Sequence, residues 1–463
     1  MPPLSSNRTA WCVACTLGIA PTPALVGQPP RPAPPKSFTL PAKHDVTLPN
    51  GMRLTFVPYG AVPLATISLI IRTGAIDESA DQVWLSKLMG DYWLQGTGTR
   101  SAAQLANVAA GMGGAITVNA QDDAMSLDGT VLGDSAAAFV GLIGDLAQHP
   151  TFPDSELKRL VGDRVRQIAI DRTRPQTLAS ERYAPLMYPD HPYGRTMPAV
   201  TALQGYTTAA VRDFFAKNVG AARAHLYIVG KFDPDRAERA ARAAFADWAA
   251  GRAPTINVPT TRAGRTLVIV DRPHAVQSTI RMGLRVPEPN NADWIALNVT
   301  DALLGGMFSS RIVTNLRERK GYSYSPFSIV NPHEHTAAWT EFADVTTNVT
   351  GPSLHVIVDE INRLRKDPPS ADELKGGQSY LAGSYVLTTA IPAGLIFQLS
   401  FADNQDLGDP YLSSYVQRVY AVTPADVQTM AQRYLDPAQM AIVVAGDSSR
   451  IATQLAPFRP TVQ

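Results

Sequence analysis

Cysteine is nearly absent from this sequence, since only two of the 463 residues are cysteines. Both of them, Cys12 and Cys15, lie within the first thirty residues. Their Cys-x-x-Cys spacing is found in redox and metal sites, but no second pair of ligands accompanies it. The rest of the chain therefore forms no disulfide, and we expect its stability to come from hydrophobic cores.

Charge of either sign is also scarce. Charged residues make up 17% of the chain, and 41 basic residues almost balance 40 acidic residues. The resulting net charge of +1 gives no reason to expect a nucleic-acid partner. After residue 30, no apolar run approaches the length of a transmembrane helix. A chain of this length with 45% hydrophobic residues predicts two to four domains with large cores.

The first thirty residues differ in character from the rest. Arg8 precedes a short apolar stretch, and a proline-rich stretch follows. We expect residues 1–27 to be an export signal and residues 28–40 to be a linker, which predicts a periplasmic or cell-envelope protein. Lipid attachment at Cys15 is an alternative, although the apolar stretch before it is short.

The body of the chain repeats one order of elements. Residues 41–251 and residues 266–460 each begin with predicted strands, continue with helices, and close with an apolar strand, which in the first half is followed by a final helix. The closing strands are Ala224 to Gly230 and Met440 to Gly446, and an aspartate follows each of them within three residues. A polar, proline-containing linker at residues 252–265 separates the halves. This order predicts two similar α+β domains.

The segment from Leu304 to Ser325 has the most distinctive pattern. Two adjacent glycines open it, which suits a turn or a close approach of the backbone. Ser309 or Ser310 is placed to cap the short helix that follows, and Gly321 is placed to end that helix.

Aromatic residues follow the glycine that ends this short helix. Tyr322, Tyr324 and Phe327 are typical of an aromatic strand. Such a strand would return along the helix and bring the heads of Arg317 and Tyr324 to one surface.

The sequence resembles the insulinase/pitrilysin family of zinc peptidases, whose zinc motif is inverted. The resemblance covers almost the whole chain from about residue 40 and rests on the order and spacing of short motifs: Leu48 to Leu54, Gly96 to Ser101, His191 to Gly194, Val229-Gly230 and, above all, Leu316 to Tyr324. It implies an α+β fold of two homologous domains, each a mainly antiparallel sheet packed with helices, as in LuxS/peptidase-like metalloenzymes. In the family, four such domains in one chain or two enclose a peptide, so this chain would form half of a clam-like shell.

The family's zinc motif is His-x-x-Glu-His on a helix, with a distal glutamate as the third ligand. The neighbouring motifs place this zinc motif at residues 87–91. There Lys87 stands in place of the first histidine, Gly90 stands in place of the general base, and Asp91 stands in place of the second histidine. Gln167 stands in place of the distal glutamate. An ammonium repels Zn²⁺, glycine cannot take a proton, and glutamine is a poor ligand. The resemblance therefore implies a member that has lost its metal site, and we expect no cofactor in this chain.

The resemblance retains one pair of functional residues, Arg317 and Tyr324. In the family, this pair reaches across the chamber and binds the substrate backbone near the scissile carbonyl. A guanidinium offers fixed donors, and a phenol can donate to a carbonyl or a developing oxyanion. In two-chain members, one chain holds zinc and the other supplies this pair. The resemblance thus implies a non-catalytic, peptide-binding subunit whose partner is a homologous zinc-bearing chain.

Simpler structural roles exist for the same residues. Arg317 has Glu318 as an ion-pair partner on a solvated helix, and Tyr324 suits the core of a strand. Lys87 and Asp91 lie four residues apart on one helix face, where they would form an ordinary salt bridge.

Other polar clusters are interpreted as structural. His333 and His335 flank a glutamate and superficially resemble a metal tripod, but we expect them in a surface loop. His191 is predicted to lie in a turn and to be satisfied by backbone groups, and Asp122 and Asp123 are predicted turn residues. Two further functions stay open: a structural or binding protein that reuses the fold, and an enzyme with relocated metal ligands.

Overall fold

The computed structural model describes residues 38–260 and 264–460. The predicted export signal, with both cysteines, lies outside the described residues. The first half consists of β1 (His44–Thr47), β2 (Arg53–Pro58), β3 (Leu64–Ile71), α1 (Leu85–Trp93), α2 (Ala102–Gly111), β4 (Thr117–Ala120), β5 (Met125–Leu132), α3 (Ala136–Gln148), α4 (Asp154–Asp171), α5 (Pro175–Met187), α6 (Val200–Gln204), α7 (Thr208–Asn218), β6 (Ala224–Gly230) and α8 (Pro234–Phe245).

The second half follows the same plan. Its elements are β7 (Thr266–Asp271), β8 (Gln277–Val286), α9 (Trp294–Asp301), α10 (Arg311–Val313), β9 (Phe327–His333), β10 (Thr336–Thr346), α11 (Thr350–Lys366), α12 (Ala371–Thr389), α13 (Pro392–Asn404), α14 (Gly408–Ala421), α15 (Pro424–Tyr434), β11 (Ala441–Gly446) and α16 (Ser448–Ile451). Two π-helical segments extend α9 through Ala302–Gly306 and α10 through Thr314–Arg319.

Each half is built on one mainly antiparallel sheet. The first sheet has the order β1-β2-β6-β3-β5-β4 and the second has the order β7-β11-β8-β10-β9. Only β2–β6 and β7–β11 pair in parallel. Apart from the additional strand β1, the two orders are identical, so the predicted fold of two homologous α+β domains is confirmed.

Several predicted elements follow from local sequence. Asn50 and Gly51 form the turn between β1 and β2, and Gly51 has a φ of +88°, a left-handed conformation that glycine adopts without strain. The hydroxyl of Ser101 caps α2 by accepting from the N–H of Gln104, and Thr423 caps α15 in the same way.

The structure corrects three element predictions. The glycines after Leu304 do not form a turn but end the π-helical segment that extends α9. Tyr322 and Tyr324 precede the strand instead of forming its start, because β9 begins only at Phe327, after Pro326, which has no N–H to donate to a ladder. The long helices α13 and α14 were not predicted.

The two halves exchange one helix each. Helix α5 of the first half crosses the second sheet, where Ala179, Tyr183 and Met187 pack in one apolar cluster with residues of β11. Helix α13 of the second half lies on the first sheet, where Tyr227 donates to Asp403 at 2.5 Å. Each half therefore covers one face of the other's sheet, and the two form one compact unit.

No single helix among residues 38–260 and 264–460 is long and apolar enough to cross a membrane. Helices α12 and α13 pass that test only jointly, and they meet at an angle of 110°. Residues on both of them, Leu374, Ala382, Leu395 and Leu399, are buried in the protein.

Candidate functional site

Arg317 lies at the end of the π-helical segment that extends α10. Leu316 beside it is fully buried and anchors the helix. Its carbonyl accepts from the N–H of Tyr322 at 2.8 Å, and Arg317 accepts from the N–H of Gly321 at 3.2 Å. Gly321 has a φ of +64°, as predicted for a glycine that ends a helix. This local geometry turns the chain back, so that Tyr324 returns to Arg317.

The guanidinium of Arg317 lies between two aromatic rings. Its carbon is 4.5 Å from the ring centre of Phe308 and 4.7 Å from that of Tyr324. Both rings are largely in solvent, with Phe308 66% exposed and Tyr324 78% exposed. Such exposure excludes the interpretation of Tyr324 as a core aromatic. The two predicted residues are thus brought together on one surface.

The donors of this pair are only partly used within the chain. The Nε atom of Arg317 lies 3.1 Å from Glu318, which is the ion pair expected from sequence. Within the described residues, the terminal nitrogens of Arg317 and the hydroxyl of Tyr324 have no hydrogen-bond partner. Aromatic rings on both sides restrict the guanidinium to one plane. The arrangement therefore presents several oriented donors to a carbonyl or carboxylate from another molecule.

Two glycines allow tight packing beneath this surface. A Cβ atom at Gly305 would lie 2.4 Å from the Ser328 hydroxyl and 2.8 Å from Glu341. A Cβ atom at Gly306 would lie 2.6 Å from Asp301. Glycine is required at both positions because neighbouring side chains approach the backbone closely. A close approach was one of the two roles predicted for these glycines, and a turn was the other.

Two buried carboxyl groups lie beneath these glycines, and sequence reasoning missed both. Asp301 accepts from Ser328 at 2.5 Å and from the indole of Trp339 at 2.7 Å. Glu341 is fully buried, and neither of its oxygens has a hydrogen-bond partner among the described residues. Burial raises the pKa of Asp301 to about 6. Burial, together with the charge of Asp301, raises the pKa of Glu341 well above its usual range.

Strand β9 forms the free edge of the second sheet next to this pair. It pairs only with β10, so one side of its backbone is unpaired within the sheet. Phe327 and Ile329 are 47% and 42% exposed, while Ser328 and Val330, which alternate with them, are buried. This alternation places apolar side chains in solvent beside the unpaired backbone N–H and C=O groups of the edge strand.

The four predicted degenerate positions lie on α1 and α4. The prediction of a salt bridge between Lys87 and Asp91 is wrong. Asp91 instead receives two hydrogen bonds from Arg164 of α4, at 2.6 and 2.7 Å. The ammonium of Lys87 lies 4.7 Å from the ring centre of Trp84. Burial lowers the pKa of Lys87, and the charges of Asp122 and Glu78 oppose that shift.

Apolar side chains line the space that a general base would need. A Cβ atom at Gly90 would lie 3.3 Å from Met125, 3.4 Å from Ala120 and 3.5 Å from Val118. Gln167 points along its own helix and donates to Asp171 at 2.9 Å. Within the described ranges, no three His, Cys, Asp or Glu side chains are placed to hold a metal. A guanidinium, an ammonium and an apolar wall do not fit zinc.

The remaining polar clusters join the two halves. His333 does not lie in a surface loop, because its ring stacks on Tyr193 at 4.2 Å. Asp123 accepts from the hydroxyl of Tyr193 and from the N–H of Glu334. It therefore links the halves in addition to forming a turn. His191 is satisfied by backbone groups as predicted, since its ring contacts the carbonyl of Asn257 at 2.9 Å.

Two family models match the chain. The model described as "Insulinase (Peptidase family M16)" matches residues 61–197, and the model described as "Peptidase M16 inactive domain" matches residues 206–381. An uncharacterized zinc protease of Streptomyces coelicolor is 22% identical over 398 residues, covering 84% of this chain and 86% of the relative. An uncharacterized zinc protease of Mycobacterium tuberculosis is 23% identical over 432 residues, covering 91% of this chain and 97% of the relative.

Solved structures share the fold. The peptidase M16 inactive domain from Pseudomonas fluorescens superposes with a TM-score of 0.81 at 21% identity, covering 87% of this chain and 98% of that chain. A protease from Helicobacter pylori superposes with a TM-score of 0.81 at 16% identity, covering 88% of this chain and 100% of that chain. With the two family models and the motif order, these matches show that the chain belongs to the insulinase/pitrilysin peptidase family, as a member of its inactive type.

Proposed function

We propose that this chain is the non-catalytic, substrate-binding subunit of a two-chain zinc endopeptidase. Its partner is a homologous chain with an intact zinc motif, and the two chains enclose the peptide. The exposed Arg317–Tyr324 pair carries this proposal. Its guanidinium is held in one plane between two rings 4.5 and 4.7 Å away, yet its terminal donors have no acceptor within the described chain. Both donors suit the carbonyl of a peptide held between the two chains.

The edge strand β9 supports peptide binding beside the pair. Its outer backbone groups have no partner within the sheet, and Phe327 and Ile329 project from it into solvent. An extended peptide can pair with such an edge through its main chain, while its side chains contact the exposed residues. That mode binds many sequences, as a peptidase subunit must.

The contacts at the degenerate positions support a non-catalytic role. Arg164 fills the space beside Asp91 with a guanidinium, and Lys87 adds an ammonium nearby. Two cations there oppose the binding of Zn²⁺. The enzyme with relocated ligands has no candidate ligand set within the described ranges.

We further propose that the complex acts in the periplasm or cell envelope. Residues 1–27 carry this part of the proposal. Fractionation of cells that express the whole chain, with or without residues 1–27, tests it. The whole chain should enter the periplasm and the truncated chain should stay inside, whereas retention of both in the cytoplasm would overturn export.

The test of function combines the chain with a homologous zinc-bearing chain from the same cell. Sedimentation should give a one-to-one species near twice the mass of either chain, and peptide hydrolysis should require both. Arg159 provides a matched control, because it lies on the exposed face of α4 and pairs with Glu156 at 2.7 Å. Arg159→Ala should leave hydrolysis unchanged, and Arg317→Ala should lower it.

The alternative of a structural or binding protein makes the opposite prediction. In that case the zinc-bearing chain would hydrolyse peptides equally well alone, or would not bind this chain. Either result would overturn the proposal.

A further inference from the structure

One row of side chains crosses the second sheet beside the edge strand. Phe327 of β9 pairs with Phe342 of β10, and Phe342 pairs with Arg281 of β8. The two phenyl rings stack at 4.6 Å with an angle of 7°. The guanidinium carbon of Arg281 lies 4.5 Å from the ring centre of Phe342. The row therefore runs from the exposed Phe327 on the edge strand β9 to the guanidinium of Arg281 on the inner strand β8.

Arg281 is half-buried and has few hydrogen-bond partners. Its Nε atom is buried and has no partner among the described residues. One terminal nitrogen contacts the carbonyl of Gln176 at 3.4 Å, which is at the limit of a hydrogen bond. No carboxylate among the described residues lies within ion-pair distance of Arg281.

The nearest acid is already used by other groups. One oxygen of Asp344 accepts from Thr279 at 2.5 Å, and the other accepts from the amide of Gln176 at 2.8 Å. Burial lowers the pKa of Arg281, and Tyr183 and Asp344 oppose that shift only in part. Partial burial of a cation without an ion-pair partner costs stability, which a bound anion can offset. A carboxylate that accepts from it would make hydrogen bonds stronger than those between neutral groups.

This cation lies within reach of a peptide held at Arg317 and Tyr324. Tyr324 and Phe327 are three residues apart, which limits their Cα separation to about 11 Å. The spacings from β9 to β10 and from β10 to β8 add about 10 Å. Arg281 therefore lies within about 20 Å of Tyr324, a distance that about six residues of extended peptide span. Phe327 is 47% exposed between them.

We propose that Arg281 receives a carboxylate of the bound peptide, from an acidic side chain or from the C-terminus. The inference rests on the proposed function and adds a preference to it: the substrates are peptides with a carboxylate within about six residues of the bond held at Arg317 and Tyr324. Arg281 is a specificity residue and takes no part in bond cleavage.

Fluorescence anisotropy of labelled peptides on the whole chain tests this inference. The probes are twelve-residue apolar peptides with a single glutamate at successive positions, matched peptides with glutamine, and versions with free or amidated C-termini. We expect about tenfold tighter binding for one glutamate position or for the free C-terminus, as for a hydrogen bond to a charged group. The peptide set that shows the gain identifies which source of carboxylate is bound.

Three variants complete the test. Arg281→Gln should remove the preference for the carboxylate and leave the binding of the glutamine peptides unchanged. Arg281→Lys should keep part of the preference, because it keeps the charge without the planar donors. Arg159→Gln, on the exposed face of α4, should change nothing. A thermal melt of each variant confirms that the fold is retained.

The outcomes separate the two proposals. Equal affinity for glutamate and glutamine peptides and for both C-terminal forms overturns the role of Arg281, while peptide binding itself still supports the proposed function. Failure of the whole chain to bind any of the peptides overturns both. A preference that survives in Arg281→Gln places the carboxylate elsewhere and also overturns the inference.

Discussion

The guanidinium carbon of Arg317 and the ring centre of Tyr324 lie 4.7 Å apart, and the two residues are seven positions apart in sequence. The phenol ring is 78% exposed, so the contact buries little apolar surface and adds little to folding stability. Arg317 and Tyr324 thus form an exposed contact that leaves hydrogen-bond donors unused, which suits the binding of another molecule.

Replacement of Arg317 should affect activity and not assembly. If the proposed function is correct, Arg317→Ala removes donors that hold the substrate carbonyl, and we expect the peptidase rate of the two-chain complex to fall roughly 10²- to 10³-fold. Sedimentation and steady-state kinetics on the same preparation measure both properties. A wild-type rate in the assembled variant would contradict the role of Arg317.

Removal of the Tyr324 hydroxyl should act in the same direction. Tyr324→Phe keeps the ring against Arg317, so thermal stability should be unchanged while the rate falls. The double variant should lose less than the product of the two single losses, because both groups act on one substrate group. An unfolded double variant would favour purely structural roles for the pair.

Restoring the zinc ligands alone should not restore zinc binding. Lys87→His, Gly90→Glu, Asp91→His and Gln167→Glu together rebuild the motif, but a side chain at position 90 meets Met125, Ala120 and Val118 within 3.5 Å. The guanidinium of Arg164 would also remain beside the ligands. Elemental analysis should find less than one zinc per chain in the wild-type and the fourfold variant. One tightly held zinc per chain in the fourfold variant would refute the prediction.

The buried carboxyl groups should make stability depend on pH. Because burial raises the pKa of Asp301 to about 6, the folded state holds a proton that the unfolded chain releases near pH 4. The free energy of unfolding should therefore fall as pH rises from about 4 through about 6. Glu341 adds to this fall, since its pKa is also raised.

Glu341→Gln isolates the contribution of that residue. The amide mimics the protonated acid and does not titrate, so the variant should gain stability relative to wild type as pH rises from 4 to 7. Urea unfolding of both proteins at four pH values in this range measures the difference. A difference that stays constant with pH would contradict the raised pKa of Glu341 in the folded protein.

Gly305 should not tolerate a side chain. Gly305→Ala places a methyl group 2.4 Å from Ser328 and 2.8 Å from Glu341, and overpacking of this kind typically costs about 1–3 kcal/mol. Gly383→Ala in α12 is the control, because nothing lies within 4 Å of its Cβ position and alanine favours helices. Thermal melts should show a lower midpoint for the first variant and an equal or higher one for the second.

Local sequence predicted the fold well where one residue determines the geometry. Gly321 adopts the left-handed conformation predicted for the residue that ends its helix. The predicted capping by Ser309 or Ser310 is wrong, because Ser310 occupies the N-cap position but its hydroxyl makes no capping hydrogen bond. The Arg317–Tyr324 contact also followed from sequence, because a short helix, a glycine stop and a return of the chain constrain it.

Long-range contacts were harder to predict. Asp91 pairs with Arg164, 73 residues away, because α1 and α4 pack side by side, and no local pattern shows that packing. His333 was placed in a surface loop because nothing nearby in sequence indicates the ring of Tyr193. Glu341 was missed because an alternating strand pattern does not show which of its polar residues is buried without a partner.

The exchange of α5 and α13 between the halves has a mechanical consequence. A hinge motion about the linker would have to lift α5 from β11 and α13 from the first sheet in the same step, and both apolar faces would meet water together. Cleavage of the linker should for the same reason leave the two pieces associated. In the proposed two-chain complex, the motion that admits a peptide would therefore occur between the chains, with each chain moving as a rigid body.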